Sequence, residues 1–345
     1  MSYPLDQMQP NTARFGNWDH GEFWSGFVRP VGATSPEEAP QVLDIEATRH
    51  IDADMERKTS MDMFGATALT LFALLLATNQ VVIKVSGDGF GPVFQAGLRS
   101  AGAIVILLVW IRLKRVRIVM PRGVSRWGVL SGIAFAFEFI CLFTALDLTS
   151  VSRTSIIFYS MPVWLAIAAH LFLPGERLTG MRVVGLGLAM AGVIWALSDR
   201  DGADVSWLGD LAALGAALGW TAIALMVRAT PLNTVKPEVQ LLWQVAISAP
   251  ILILLALWSG DLVRDVQIIH LAGLVFQIVF VASLGFLFWF WLLTLYPASS
   301  VASFSFLSPV FSVMLGWAVL SEQVGVEILG ALVLVAAGIY LINRR

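Results

Sequence analysis

Charged side chains make up only 13% of this 345-residue sequence, and it holds a single cysteine. Ordinary soluble domains carry roughly 25% charge, so a water-soluble globule is excluded. The lone Cys141 rules out an intrachain disulfide framework and any multi-cysteine metal centre. It lies in an apolar stretch and reads as a small buried hydrophobe. The four histidines are scattered, and no glycine-rich loop is followed by Lys-Ser or Lys-Thr, which removes P-loop ATP hydrolysis. Period-two alternation, the mark of a membrane barrel, is missing too. Basic residues form no aromatic-interleaved stripe, so nucleic acid is not a partner. No cofactor and no metal are expected, and the chain does not read as an enzyme.

What is present is apolar. Hydrophobic residues reach 57%, with 13 Trp and 21 Phe suited to a lipid-facing protein with interfacial anchors. Ten stretches of about 20 residues are each long enough to cross a ~30 Å hydrocarbon core as a helix. They run over 62–84, 91–111, 127–147, 152–173, 180–198, 207–227, 236–258, 269–293, 298–320 and 324–342. Small residues four apart, Gly128 with Gly132 and Gly215 with Gly219, allow close helix approach in lipid.

The sequence also repeats itself. Pro162 is followed 14 residues later by Glu176, and Pro309 is followed 13 residues later by Glu322. Pro92, Gln95 and Arg99 align with Pro237, Gln240 and Gln244, and Leu76–Lys84 aligns with Trp220–Arg228, at offsets of 145 and 144, beside 147 and 146 for the proline and glutamate pairs. Each copy holds five spans. Because five is odd, the second copy enters the membrane from the opposite side, which makes the repeat an inverted one with its natural binding site between the halves. The expected organisation is a tail over 1–61, a first five-helix repeat over 62–198, a connector over 199–206 and a second repeat over 207–343.

Lysine and arginine fix the expected orientation. With the N-terminus inside, fourteen of them flank the cytoplasmic ends and four the outer ends, and the even number of spans puts both termini in the cytoplasm. The stretch from Asp199 to Asp210, which holds Asp199, Asp201, Asp204 and Asp210, then lies outside between the halves and reads as a solvated external loop. Residues 1–60 carry ten acidic and five basic side chains and five prolines, the composition of a mostly disordered cytoplasmic tail. Residues from about 39 to 60 are open to a short helix, and Phe15, Trp18, Phe23, Trp24 and Phe27 to contact with the membrane surface. The segment lacks the basic start and apolar run of a secretory leader. Met55, Met61 and Met63 are alternative starts.

The segments LATNQVVIK, FQAGLRSAGA and ALDLTSVSRTSIIFYSMPVWLAIAAHLFLPGERLTGMRVVGLGLAMAGVIWAL, with the second-half counterpart LTLYPASSVASFSFLSPVFSVMLGWAVLSEQVGVEILGALVLVAAGIYL, resemble one family. It is the drug/metabolite transporter superfamily, in its ten-helix form with two EamA-type domains. The resemblance covers about residues 62–343. It implies an all-α membrane protein of ten helices, alternating access around a central cavity, and movement of small metabolites, often as an exporter of amino acids or related compounds. Two features depart from the pattern: Leu76 stands where a tryptophan is usual, although Trp220 keeps it in the second copy, and the tail is long.

Glu138 is the leading candidate for chemistry. It lies mid-span with no charge for eight residues on either side, where a carboxylate costs at least about 2.5 kcal/mol unless paired, protonated or wet. Arg99 falls at a matching depth of about 12 to 14 Å, at 1.5 Å per residue, so a bidentate Arg99–Glu138 pair is sterically reasonable. Two readings stand: Glu138 takes a proton or meets a substrate amine while Arg99 tunes it or holds a carboxylate, or the two form a static bridge. The second copy has Gln244 in place of Arg99 and only Gly285 near the position of Glu138.

Asn79, Gln80, Gln95, Ser155, Tyr159, Gln240, Gln277 and Ser305 can add neutral hydrogen bonds, as substrate contacts or as helix glue. Trp220, Trp243 and Trp289 read as cavity wall or as lipid anchors, and His170 as a packing residue or a proton relay. Pro162 and Pro309 suit helix bending and gating, or are simply tolerated as prolines are in membrane helices, and Glu176 and Glu322 suit capping or loop contact. The partners expected are a small-molecule substrate, protons as a coupling ion and membrane lipid, with a homodimer left open. The location expected is the inner cell membrane. The competing classes are a multi-pass enzyme acting on lipid and a receptor or scaffold that docks through its tail.

Overall fold

The computed structural model describes residues 62–173, 178–198, 206–296 and 304–343. The expectations for the tail, for Glu176, for most of the connector and for the start of the ninth span lie outside the described residues. The first repeat comprises α1 (Met63–Gly87), α2 (Pro92–Leu113), α3 (Ser125–Leu148), α4 (Val151–Phe158), α5 (Met161–Phe172) and α6 (Gly180–Ser198). The second comprises α7 (Trp207–Ala229), α8 (Pro237–Ser259), α9 (Ile268–Phe276), a π-helical turn (Gln277–Val281), α10 (Leu284–Leu295), α11 (Leu307–Leu320) and α12 (Val326–Asn343). Eight segments are long and apolar enough to span a bilayer, with Val151–Phe172 and Ile268–Trp289 counted as one each, and α11 and α12 supply two shorter apolar helices. This is the expected all-α membrane fold of ten spans in two inverted five-helix repeats.

The repeat is visible in how its helices begin. Asp62 Oδ1 accepts the Gly65 N–H at 2.9 Å to cap α1, and Ser206 Oγ accepts the Gly209 N–H at 3.2 Å to cap α7. Pro92 and Pro237 open α2 and α8 at positions where no backbone donor is needed.

Pro162 and Pro309 depart from the bending expected of them. The fourth span is discontinuous: the chain leaves helical geometry after Phe158 and restarts at Met161, so Pro162 lies in the first turn of α5. Pro309 likewise lies in the first turn of α11. Neither proline bends a continuous helix; each helps to open one, where its missing N–H leaves no intrahelical bond unmade.

Across the pseudo-twofold axis α2 packs on α8, α3 on α7, α6 on α12 and α1 on α11. Glycines set two of these approaches. A Cβ at Gly219 would lie 3.1 Å from Glu138 Cα, and a Cβ at Gly338 would lie 2.6 Å from Gly185 O. The α6–α12 backbones therefore touch, which lets dispersion replace the hydrophobic drive that lipid does not supply.

One end of the bundle carries a polar clasp that sequence reading missed. Arg153 and Asp210, with side chains 2% and 3% exposed, form a bidentate pair, Nε to Oδ1 at 2.6 Å and Nη2 to Oδ2 at 2.9 Å. Asp210 is thus not part of a solvated connector: it sits in the first turn of α7 and ties the second repeat to α4 of the first. Glu322, following α11, accepts the Val151 and Ser152 N–H groups at 2.6 and 3.0 Å. It caps α4 from the other repeat.

At the same end Arg264, in the α8–α9 loop, donates to Asp147 Oδ1 at 2.6 Å, to Asp261 Oδ2 at 2.8 Å and to Gly87 O at 2.9 Å. The hydrogen bonds to Asp147 and Asp261 push its pKa still higher, so it stays charged throughout the working range. The stability this shift adds is present below the ordinary arginine pKa and is lost only at pH above it. At the opposite end Tyr296 donates its hydroxyl proton to Asp62 Oδ1 at 2.6 Å, beside a cluster of Ala68, Leu69 and Leu292.

Two stability predictions follow from these contacts. Gly338→Val forces α6 and α12 apart and is expected to lower stability by about 1–3 kcal/mol or more, read as a lower melting temperature in detergent. Asp210→Asn removes the charge opposite a buried guanidinium and is expected to cost about 3–5 kcal/mol, whereas Arg153→Met with Asp210→Leu recovers most of that loss. Equal melting temperatures for the single and double variants would contradict the assigned burial.

Candidate functional site

A cavity of about 160 Å³ lies between the repeats. Helix α1 presents Asn79 and Gln80, α2 presents Arg99, α3 presents Glu138, and the break between α4 and α5 presents Tyr159. The second repeat contributes Trp220 from α7, Phe286 and Trp289 from α10, and Phe304, Ser305 and Ser308 at the start of α11. The Phe72 ring of α1 stacks on Trp289 at 4.9 Å between centroids. Aromatic rings from both repeats therefore surround the polar groups.

Arg99 and Glu138, each 4% exposed, both line this cavity, but not as the bidentate pair expected. The guanidinium carbon of Arg99 lies 4.2 Å from the Phe139 ring centroid and 5.7 Å from that of Phe143. Arg99 Nη1 has no hydrogen-bond partner. The ring next to Glu138 in sequence thus holds the cation, and the two charges remain separate groups on one surface. Gly219 explains the position of Glu138, because without a side chain there α7 packs directly on its Cα.

The neutral candidates divide. Ser155 donates to Gln80 Oε1, Tyr159 faces Gln80 and Ser308, and Asn79 Oδ1 is buried without a partner. These groups belong to the cavity. Gln95, Gln240 and Gln244 do not line it. Gln95 Nε2 donates to Ile83 O at 3.3 Å, and Gln240 Nε2 donates to Leu232 O and Val235 O at 3.0 and 2.7 Å. Gln244 Nε2 donates to Ser131 Oγ at 2.9 Å and joins α8 to α3. These three amides hold the scaffold.

Trp220 and Trp289 line the cavity, whereas Trp243 packs with Val124, Val227 and Val239 near the other end of α8. Sequence reading missed Phe286 and Phe304. The run LGFLFWFWLLTL of α10 is apolar on every side, so no periodicity separates a cavity face from a lipid face.

Comparison with known proteins agrees with this architecture. A Bacillus subtilis (strain 168) protein described as the uncharacterized transporter YvbV is 26% identical over 287 residues, covering 81% of this chain and 92% of that one. An Escherichia coli (strain K12) protein described as a probable amino-acid metabolite efflux pump is 27% identical, covering 80% of this chain and 93% of its own. One crystal structure superposes with a TM-score of 0.55 at 19% identity, over 80% of this chain and 96% of that chain, a likeness of fold. Residues 63–198 and 207–344 each match the EamA-like transporter family, and the chain belongs to that family of multi-pass membrane proteins.

Proposed function

We propose that this protein is a secondary transporter that exports a small metabolite by alternating access, with the substrate held in the cavity between the repeats. The observation that carries this reading is the cavity itself: it lies between two inverted repeats and holds a buried arginine and a buried glutamate that are not bonded to each other. Ionisable groups kept deep in a membrane bundle at a cost of several kcal/mol mark substrate or ion pathways. A volume of about 160 Å³ is well under the ~300–1,000 Å³ of sites for drug-sized ligands. The likeness to a probable amino-acid metabolite efflux pump supports a substrate of that size and an outward direction.

Glu138 is the group proposed to couple protons. It is the one carboxylate among the described lining residues, and its protonation exchanges a charge for a hydrogen-bond donor at the centre of the site. The sequence has no P-loop, so the driving force is a proton gradient or the substrate's own gradient. Both termini lie in the cytoplasm on this reading, which puts the Arg264 clasp outside.

Two experiments test the cycle. In proteoliposomes the wild type is expected to transport faster with an opposing proton gradient, and Glu138→Gln to lose that pH dependence. Unchanged pH dependence in the variant removes the coupling role. If the Arg264 contacts help to shut that end, Arg264→Gln loosens it: in a Cys141→Ser background, Leu142→Cys is expected to react with an impermeant maleimide about two- to fivefold faster, the weight of one or two partly exposed ion pairs. Equal labelling rates show that the clasp does not gate.

A further inference from the structure

We infer that the loop joining α2 to α3 is a docking surface for the headgroup of an anionic glycerophospholipid. This holds whatever the cavity carries. Residues 112–126 contain six cations, Arg112, Lys114, Arg115, Arg117, Arg122 and Arg126, and no acidic side chain. Lys114 Nζ lies 5.3 Å from the Trp110 ring centroid, and the guanidinium carbon of Arg126 lies 5.3 Å from that of Trp127. Tryptophan favours the headgroup level of a bilayer, so the two rings flank the loop at the height where lipid phosphates lie.

The backbone at Arg115 sets its charge apart from an ordinary surface residue. Helix α2 ends in a Schellman turn: the Val116 N–H donates to Ile111 O at 2.9 Å and the Arg115 N–H to Arg112 O at 3.2 Å. The turn puts Arg115 in the left-handed region, at φ 51°, where glycine is the usual residue and a side chain is strained. The second repeat supplies the comparison. At the offset of 145 that relates Pro92 to Pro237, the left-handed residue after α8 is Gly260, at φ 80°. The loop around it carries two acids, Asp261 and Asp265, and one arginine, Arg264. The fold therefore accepts glycine at this position, and the first copy keeps an arginine there against the local preference, as functional sites do.

Packing decides which side chains of the loop face outward. Val116, Met120 and Val124 turn in against a cluster that includes Val227, Leu232 and Val239. Arg117, Ile118, Val119 and Arg122 turn out, with Ile118 and Val119 50% and 59% exposed and Leu113 beside them at 74%. Among the described residues none of Arg112, Arg115, Arg117 and Arg122 pairs with an acid. Cations alone would suit any anion. Bare aliphatic side chains among them select an anion that brings its own hydrocarbon, because burying them against it is favourable and water offers nothing equivalent. A phospholipid supplies both parts and already surrounds the loop. Clusters of basic residues just beyond a membrane span bind anionic lipid in this way, each cation strengthening the contact about fivefold.

The test uses the full chain in neutral detergent, titrated with dioctanoyl phosphatidylglycerol, dioctanoyl phosphatidylcholine and glycerol 3-phosphate. Binding to the folded state raises the melting temperature. Phosphatidylglycerol is expected to raise it, less so at high salt, and the other two are not. Arg115→Gly separates the lipid role from the fold. Relief of the left-handed strain is expected to raise the melting temperature without lipid by about 1–3 °C, while the half-saturating concentration of phosphatidylglycerol rises about fivefold. Adding Arg117→Gln and Arg122→Gln is expected to take that rise to about 100-fold.

No response to phosphatidylglycerol, or a half-saturating concentration that stays the same in the triple variant, overturns the inference. An equal response to phosphatidylcholine does so as well, and an equal response to glycerol 3-phosphate gives the loop to a soluble anion instead. The competing occupant is the acidic tail, whose residues 37–54 carry six acids and one arginine. Glu37→Gln, Glu38→Gln, Asp44→Asn and Glu46→Gln together, in the full chain, are expected to leave the phosphatidylglycerol titration unchanged. A lower half-saturating concentration in that variant shows the tail covering the loop and overturns the lipid as its partner.

Discussion

In hydrocarbon no water completes an unmade hydrogen bond, so backbone amides and charges at membrane depth must be satisfied within the protein or by what fills its cavity. That constraint explains where the irregular backbone lies. The break at Tyr159 and Ser160 comes between two buried helices, and its residues face the cavity and the centre of the bundle rather than lipid. Ser160 Oγ donates to Ile157 O at 2.6 Å, so part of the helix end is capped locally. In the π-helical turn Gln277 and Val281 are buried and Val281 lines the cavity, while Phe280 between them is exposed. Interrupted helices are tolerated at membrane depth where they border a cavity, and there they place backbone and side-chain dipoles against a ligand.

The same constraint organises the charges outside the cavity. Arg153 and Asp210 are almost fully buried, yet each meets the other in a bidentate pair that crosses from one repeat to the other. Such a pair adds little net stability against apolar residues of the same shape, but it penalises any arrangement that separates the two groups. Glu322 behaves similarly, because its acceptor sites are filled by backbone donors at the start of α4. These contacts fix the register between repeats at one end. The half-exposed Arg264 group at that end costs far less to release.

How much of this the sequence showed depended on the range of each interaction. Ten spans and their inversion are local or periodic properties, and they were legible. Partnership was not. Gln95 and Gln80 look alike as isolated amides in apolar helices, and only the tertiary contacts assign one to Ile83 O and the other to the cavity. Asp210 was grouped with three neighbouring aspartates by composition, whereas its role depends on Arg153, 57 residues away. Pro162 was read as a kink because the span on both sides is continuously apolar, and hydropathy does not register a two-residue break. Arg99 and Glu138 were legible as a neighbouring couple from depth alone. Their separation was not, because Phe139 holds the guanidinium.

The two repeats share a backbone plan but divide the chemistry. The charged and amide groups, Asn79, Gln80, Arg99 and Glu138, all come from the first repeat, which also lines the cavity with Phe72, Phe139 and Phe158; the second repeat contributes Trp220, Phe286, Trp289 and Phe304, with Ser305 and Ser308. Where the second repeat has Gln244 in place of Arg99, the amide bonds to Ser131 and ties α8 to α3. Near the counterpart of Glu138 stands Gly285, where a Cβ would lie 2.7 Å from Phe280 O, so no acidic side chain fits there. On the proposed reading this division has a mechanical consequence. A ligand that touches groups of both repeats meets a complete site only while the repeats are closed on each other. Rocking them apart separates the charged groups of the first repeat from Trp220, Phe286 and Trp289 of the second and weakens both sets of contacts together, so the motion that opens the path also lowers the affinity.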